Sequence, residues 1–194
     1  MSSDSLYLYS ASSDSTIRRW EISTGQCVAV FPHPHGVWVW SLCQSSNDEF
    51  IFSGSYGKDD TIRQWNVSDG SVGSFESGHT GGISGLCMSR GGELIYSCSW
   101  DKTIREWRIS SGHLNRTFPI QHTDAINSIC LSCDDEYLFS GSDDKTVVQW
   151  LISSGTCIRV FTAHTGSVKS VCMSNDGRSF VYSGSGEGPF VSGW

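Results

Sequence analysis

The sequence predicts an all-β fold made of four-stranded antiparallel sheets that repeat along the chain and pack side by side. The first observation is a period of 42 to 45 residues between five tryptophans: Trp20, Trp65, Trp107, Trp150 and Trp194. The second is that one period holds four short runs of β-branched or aromatic residues with partial alternation. The third is that Gly, Asp and Ser separate these runs, while helix patterns of useful length are absent.

The third period shows the four predicted strands in order. They are Ile83–Met88, Leu94–Ser99, Thr103–Ile109 and His113–Phe118. The turns between them are Arg90-Gly91-Gly92, Trp100-Asp101-Lys102 and Ser110-Ser111-Gly112. One such sheet, here called a blade, is too small to bury both of its faces alone. Radial stacking against similar blades supplies the missing core.

Length and charge narrow the class of protein. A chain of 194 residues and 21.3 kDa is long enough for one domain with a substantial core. A net charge of −7 argues against non-specific binding of nucleic acid or of an anionic membrane. The N-terminal residues show no secretory signal, and no uncharged stretch is apolar enough to span a membrane. We therefore expect a cytoplasmic protein, with the nucleus left open.

Several features recur together around each tryptophan. The phrases that lead to it are SASSDSTIRRW, SGSYGKDDTIRQW, SCSWDKTIREW, SGSDDKTVVQW and SGSGEGPFVSGW. The first four are followed by a turn phrase (STG, SDG, SSG, SSG) and then by a histidine: His35, His79, His122 and His164. This combination resembles the WD-repeat β-propeller family over residues 6–194. The sequence departs from that pattern because no blade tryptophan is followed by Asp, and Gly188-Pro189 replaces the turn Asp of the fifth repeat.

The resemblance implies an incomplete or open propeller of about four and a half blades. The predicted blades are 6–32, 33–78, 79–121, 122–163 and 164–194, with three, four, four, four and three strands. The family most often closes a ring of seven blades. An open arc exposes blade faces and strand edges, which favours association. We therefore expect either missing blades from a longer chain or self-association that closes the ring.

The resemblance also implies that a Ser, a turn Asp, the strand Trp and the incoming His form one hydrogen-bonded set in a blade. The three sets are Ser53, Asp59, Trp65 and His35; Ser97, Asp101, Trp107 and His79; and Ser140, Asp144, Trp150 and His122. Buried indole and imidazole groups need such partners. Ser, His and Asp also suggest catalysis, but a triad needs one exposed nucleophile in a cleft. Because the set recurs from blade to blade, we predict a structural role and no enzyme.

The cysteines and other motifs indicate no cofactor. Cys43, Cys87, Cys130 and Cys172 recur at one strand position, and equivalent positions in neighbouring blades are expected to lie too far apart for a disulfide. Cys130 and Cys133 form a CxxC pair near a histidine, but no second pair completes a zinc site. No Gly-rich phosphate loop opens a helix. The prediction is therefore free thiols, with neither metal nor nucleotide bound.

A partner surface is predicted where equivalent positions differ between blades. Val39, Ile83, Ile126 and Val168 share one position and are all β-branched, as a core requires. The residues beside this position and before the turn Asp vary. By resemblance they border the top face and central channel, where protein segments dock: Trp38, Trp40, Lys58, Trp100, Asn127, Asp143 and Lys169. The alternative is that Trp38 and Trp40 fill the wall between blades.

These observations predict a noncatalytic scaffold or adaptor that presents its top face to a segment of a protein partner. One alternative is a regulatory WD-repeat fragment of a larger multidomain signalling protein. A less favoured alternative is a small-ligand-binding or enzymatic propeller with Trp40 and Trp100 stacked on the ligand. The last would need polar groups near the channel that break the repeat, and Lys58, Asp143 and Lys169 are the candidates.

Overall fold

The computed structural model describes residues 2, 4–56, 60–75, 78–174, 181–185 and, for the backbone alone, 191–193. Its strands form five antiparallel sheets in chain order. The first sheet contains β1 (Tyr7–Ala11), β2 (Thr16–Glu21) and β3 (Cys27–Pro32), and the second contains β4 (Trp38–Gln44), β5 (Phe50–Tyr56), β6 (Ile62–Asn66) and β7 (Val72–Ser74). The third contains β8 (Ile83–Met88), β9 (Leu94–Ser99), β10 (Ile104–Arg108) and β11 (Leu114–Thr117). The fourth contains β12 (Ile126–Leu131), β13 (Tyr137–Ser142), β14 (Val147–Leu151) and β15 (Thr156–Phe161), and the fifth β16 (Val168–Met173), β17 (Val181–Ser185) and β18 (Val191–Gly193).

The predicted fold class is confirmed. Within the described ranges every regular element is a strand, and the sheets have three, four, four, four and three strands. The predicted strands Ile83–Met88 and Leu94–Ser99 are observed with those bounds as β8 and β9. The next two strands are each two residues shorter than predicted, by one residue at either end. No helix long and apolar enough to cross a membrane occurs in this part of the chain.

The core lies between successive sheets. Between the second and third sheets, Phe52 and Ile62 from one side pack against Ile83, Ile95 and Trp107 from the other. The same arrangement recurs between the other neighbouring sheets. The second, third and fourth sheets therefore have two different faces. One face carries the repeat tryptophan and packs on the preceding sheet, and the other carries Phe or Tyr and packs on the following sheet.

A hydrogen-bonded set fixes each repeat tryptophan. In the third sheet the Trp107 indole donates to Ser97 Oγ at 2.8 Å. The Ser97 hydroxyl lies 2.7 Å from His79 Nε2, and His79 Nδ1 lies 2.9 Å from Asp101 Oδ2. Since Ser97 accepts from the indole, its own proton goes to Nε2, and the Nδ1 proton goes to the carboxylate. The fourth sheet repeats this set with Ser140, Asp144, Trp150 and His122 at 2.7 to 2.9 Å.

The second sheet corrects one predicted member of these sets. Trp65 donates to Ser53 Oγ at 2.8 Å, and Asp59 lies outside the described residues. His33 is buried with its ring 6.0 Å from the Trp65 ring, whereas His35 is exposed. The His33 N–H donates to Ser15 O at 2.8 Å, which extends the β2–β3 ladder and carries the imidazole to the buried side. His33, and not His35, therefore occupies the position of the other histidines.

In the end sheets the described residues show part of the hydrogen-bonded set. In the first sheet Trp20 donates to Ser10 Oγ at 2.8 Å, and its indole is only half-buried. In the fifth sheet His164 Nε2 lies 2.6 Å from Ser183 Oγ, while Trp194 and Gly188-Pro189 lie outside the described residues. All eight cysteines are free thiols. In the described ranges, no three His, Cys, Asp or Glu side chains gather into a group that could hold a metal ion.

Candidate partner-binding cleft

An open cleft of about 560 Å³ lies where the inner strands of four sheets approach one another. Its lining residues are Trp40, Trp100, Ala125, Asn127, Asp143 and Lys169. Five of these six are among the seven residues that the sequence predicts for a partner surface. Trp38 lies beside the cleft and reaches it through another aromatic ring, and Lys58 lies outside the described residues. The structure therefore gathers residues that are up to 129 positions apart in the chain (40 to 169).

A β-bulge aims one side chain of each inner strand toward this end of the molecule. The pairing register of β4, β8, β12 and β16 shifts at the same position in every case. The extra residues at these shifts are Trp40, Ser84, Asn127 and Lys169. A bulge leaves one residue out of the ladder and turns its side chain away from simple alternation. Three of the four bulged residues consequently line the cleft.

The polar wall of the cleft is built around one carboxylate. Asp143 Oδ1 accepts hydrogen bonds from Asn127 Nδ2 and from Lys169 Nζ, each at 2.6 Å. Burial raises the pKa of Asp143, but the hydrogen bonds from Lys169 and Asn127 outweigh it and hold the pKa below its usual value. Asp143 is therefore ionised at neutral pH, and it faces the half-exposed Lys169 ammonium. The wall presents both a fixed acceptor and a charged donor.

Ser84, the bulge residue of β8, forms a hydrogen bond to the next sheet and does not line the cleft. Its hydroxyl donates to the Ile126 carbonyl of the next inner strand. Asn127 donates in the same way to Val168 O at 3.0 Å while it also holds Asp143. The bulge side chain can therefore link neighbouring sheets, and Asn127 combines this link with a place in the cleft. The short Ser84 side chain also lies 3.3 Å from Cys98 O in its own sheet.

The aromatic wall continues beyond the cleft as a strip of four rings. Trp40 meets Trp100 edge-to-face at 5.8 Å, Tyr56 lies 4.8 Å from Trp100, and Trp38 lies 5.8 Å from Tyr56. Trp40 is 50% exposed, and Trp38 and Tyr56 are exposed to a similar degree. About half of the surface of Trp38 and of Trp40 is therefore covered by neighbouring groups, and the other half is apolar surface open to solvent. Their role in binding a partner stays a prediction.

Tyr56 is the member of this strip that the sequence did not single out. It is the last residue of β5, within a phrase (SGSYGKDDTIRQW) that is two residues longer than the equivalent phrases SCSWDKTIREW and SGSDDKTVVQW. Gly82 makes its position possible, because a Cβ atom there would lie 2.7 Å from Tyr56 Cδ2. The second, fourth and fifth sheets carry Trp38, Ala125 and Ser167 at the place of Gly82. The coincidence of a longer loop with this glycine is the pattern that could have identified Tyr56.

Comparison with known proteins agrees with this architecture. The chain matches the family model "WD domain, G-beta repeat" over residues 25–66, 70–108, 112–150 and 155–188. It is also similar to the WD repeat domain-containing protein 83 homolog of Dictyostelium discoideum, with 38% identity over 120 residues. That alignment covers 61% of this chain and 35% of the relative. The chain thus spans about a third of the length of the relative that it matches.

The matched stretches are offset from the sheets by one strand. The stretch 25–66 contains β3 of the first sheet together with β4, β5 and β6 of the second. One sequence repeat therefore joins the outer strand of one sheet to the inner three strands of the next, which ties neighbouring sheets covalently. The model matches extend over well over half of the chain and include the recurring tryptophans of the second, third and fourth sheets. On this basis the chain belongs to the WD-repeat family.

Proposed function

We propose that the protein is a noncatalytic scaffold or adaptor that binds an extended segment of a partner protein in the aromatic cleft. WD repeats generally mediate protein–protein interaction. The observation that carries the proposal is the strip of half-exposed rings that runs into a cleft with a fixed carboxylate and an exposed ammonium. Aromatic anchors beside polar groups are the composition of an interaction hot spot.

The burial and hydrogen bonds of the serine hydroxyls in the Ser–His–Asp sets support a noncatalytic role. Ser97 is fully buried, and its hydroxyl is used by both Trp107 and His79. A nucleophile needs access to substrate and a free direction of attack. Ser97 has neither, and Ser140 is held in the same way. In the third and fourth sheets these sets are structural hydrogen-bond networks that hold the repeat tryptophan and the histidine in place.

The double variant Trp40→Ala plus Trp100→Ala tests the proposal. It removes both rings that meet at the cleft and leaves the sheet cores untouched. We expect binding of wild-type partners, identified by affinity capture and then measured with purified components, to weaken at least tenfold. The matched control is Ile158→Ala plus Val160→Ala, which removes exposed apolar side chains from β15 far from the cleft. The control should bind as wild type does.

Circular dichroism and thermal melting establish that both double variants are folded. A folded Trp40→Ala plus Trp100→Ala protein that keeps every partner at wild-type affinity would show that the cleft is not the docking surface. Equal loss in both double variants would point to a general effect of removing exposed apolar side chains. Either result would remove the basis for the proposed function.

A further inference from the structure

The four rings of the aromatic strip carry hydrogen-bond donors that the described part of the protein does not use. The strip consists of Trp38, Tyr56, Trp100 and Trp40, so it contains three indole N–H groups and one phenolic O–H. No described residue accepts a hydrogen bond from any of these four groups. The repeat tryptophans of the second, third and fourth sheets differ, because each donates to a serine at 2.8 or 2.9 Å. The strip therefore offers donors as well as apolar surface to a bound molecule.

The spacing of the rings suits a segment whose side chains repeat every three residues. Successive ring centroids along the strip lie 5.8, 4.8 and 5.8 Å apart. Two successive spacings limit the distance between alternate rings to little more than about 9 Å, which is one turn of a polyproline II helix. Alternate rings, such as Trp40 and Tyr56, can therefore contact positions i and i+3 of one segment in that conformation.

The rings form shallow grooves between their faces. The planes of neighbouring rings are tilted by 73° at Trp40 and Trp100, by 52° at Trp100 and Tyr56, and by 41° at Tyr56 and Trp38. Such tilted pairs leave wedge-shaped spaces, and between 40% and 50% of Trp38, Trp40 and Tyr56 is exposed. A compact, rigid proline ring fits a wedge of this kind. Because the shape of a proline-rich segment is already fixed, little conformational entropy is lost when it binds.

The acceptors of a polyproline II segment match the donors of the strip. The backbone carbonyls of this helix make no internal hydrogen bonds, and proline contributes no N–H group that would need an acceptor. The Lys169 ammonium adds donors at the end of the cleft, because it is half-exposed and donates to one described acceptor, Asp143 Oδ1. The protein side thus supplies mainly donors, and the segment supplies mainly acceptors.

The charges of the cleft favour a segment that is itself uncharged. The lining contains one carboxylate, Asp143, and one ammonium, Lys169, and these two groups are joined at 2.6 Å. Asn127 donates to the same carboxylate oxygen and compensates its charge further. The lining consequently has no excess of either sign, although the whole chain carries a net charge of −7. Neither an acidic nor a basic side chain of a partner gains an unpaired opposite charge there.

We propose that the aromatic strip binds a proline-rich segment of a partner protein in the polyproline II conformation. Prolines three residues apart occupy the grooves between the rings, and backbone carbonyls of the segment accept hydrogen bonds from the indole N–H groups. This inference rests on the proposed function and specifies the chemistry of the partner segment.

Fluorescein-labelled decaproline serves as the probe, because it forms this helix and has no charged side chain. It is titrated with the whole protein, and binding is followed by anisotropy. The matched control peptide is decaproline made of D-proline, which has the same composition and the opposite hand. We expect saturable binding of the L-peptide and at least tenfold weaker binding of the D-peptide. L-peptides in which two prolines three residues apart are replaced by Glu or by Lys should bind no more tightly than decaproline.

Variants of the strip test the contacts from the side of the protein. Tyr56→Ala removes a central ring, and we expect it to weaken decaproline binding at least tenfold. The matched control is Tyr182→Ala, which removes a similarly exposed tyrosine from β17 and should leave binding unchanged. Trp100→Phe keeps an aromatic ring but removes the indole N–H, so it should weaken binding about three- to tenfold. Circular dichroism and thermal melting establish that the variants are folded.

Equal binding of the L- and D-peptides would overturn the proposal, as would tighter binding of the Glu or Lys peptide by tenfold. Unchanged binding to folded Tyr56→Ala or Trp100→Phe would also overturn it. If decaproline does not bind while the captured partners still depend on Trp40 and Trp100, this inference is wrong and the proposed function stands. If decaproline does not bind and the partners do not depend on those two rings, both are wrong.

Discussion

Replacing Ser97 by alanine removes one oxygen atom that serves two buried groups. The Trp107 indole donates to it, and the His79 ring accepts from it, both within 2.8 Å. Neither partner can turn to water, since Trp107 and His79 are at most 4% exposed. A buried polar group without a partner costs about 1–3 kcal/mol, so two such groups predict a loss of about 2–5 kcal/mol in the free energy of unfolding.

The chain contains its own control for this substitution. Ser10 accepts from Trp20 at 2.8 Å in the same sheet position, but that indole is half-buried. Water can replace the lost oxygen there, so Ser10→Ala should cost only about 0.5–1 kcal/mol. Urea unfolding followed by tryptophan fluorescence and by circular dichroism measures both variants under one set of conditions. Equal losses of unfolding free energy in the two variants, or a loss below about 1 kcal/mol for Ser97→Ala, would refute the structural role assigned to the Ser97 hydroxyl.

The remaining predictions use the same internal comparison between sheets. Gly54→Ala would place a Cβ atom 2.4 Å from an Ile83 methyl group and should destabilise the protein by about 1–3 kcal/mol, whereas Gly184→Ala, with nothing within 4 Å, should be nearly neutral in the same urea assay. Ile95→Ala should lower the free energy of unfolding by about 2–5 kcal/mol because this side chain is fully buried. Leu8→Ala, at the equivalent position in β1, should cost several times less because Leu8 is exposed. Equal costs would contradict the packing of the sheets. Burial raises the pKa of Asp101, but the hydrogen bonds that it accepts from His79, Thr103 and Thr80 outweigh it and hold the pKa below its ordinary value of 3.8. The ionised carboxylate therefore stabilises the fold above pH 3.8, and this contribution is lost as the pH falls further. Asp101→Asn lacks the contribution at every pH. Between about pH 5 and pH 2, its midpoint of thermal unfolding should therefore fall less than that of wild type.

The sequence predicted those parts of the fold that depend on repetition. The bounds of β8 and β9 were predicted to the residue, because alternation and turn residues agree there and then recur in every period. The strand tryptophan and its serine were found for the same reason. Repetition supplies, within one chain, the comparison that shows which positions the core requires and which are free to vary.

The parts that could not be predicted depend on local geometry that the pattern does not encode. The sequence His-Pro-His offers two histidines, and the pattern does not encode that His33, whose N–H pairs with Ser15 O, is the one that lies buried beside Trp65. Tyr56 was missed because its place depends on the space left by Gly82 on another strand. Simple alternation also gives no indication of a bulge, so the pleat predicted only that Trp40 faces away from the side of Val39, and its place at the top face came from the family resemblance.

The bulge explains why one position can vary in a fold that is otherwise so repetitive. A residue outside the ladder makes no obligatory backbone pair with its neighbour strand, and its side chain does not enter the core between sheets. Ser84 and Asn127 use this freedom to link to the next inner strand, whereas Lys169 reaches back to Asp143 and Trp40 meets Trp100. The β-branched residues before them, such as Val39 and Val168, remain buried in all four strands. The exposed surface can therefore change at the bulges while the buried β-branched residues that pack between the sheets stay the same.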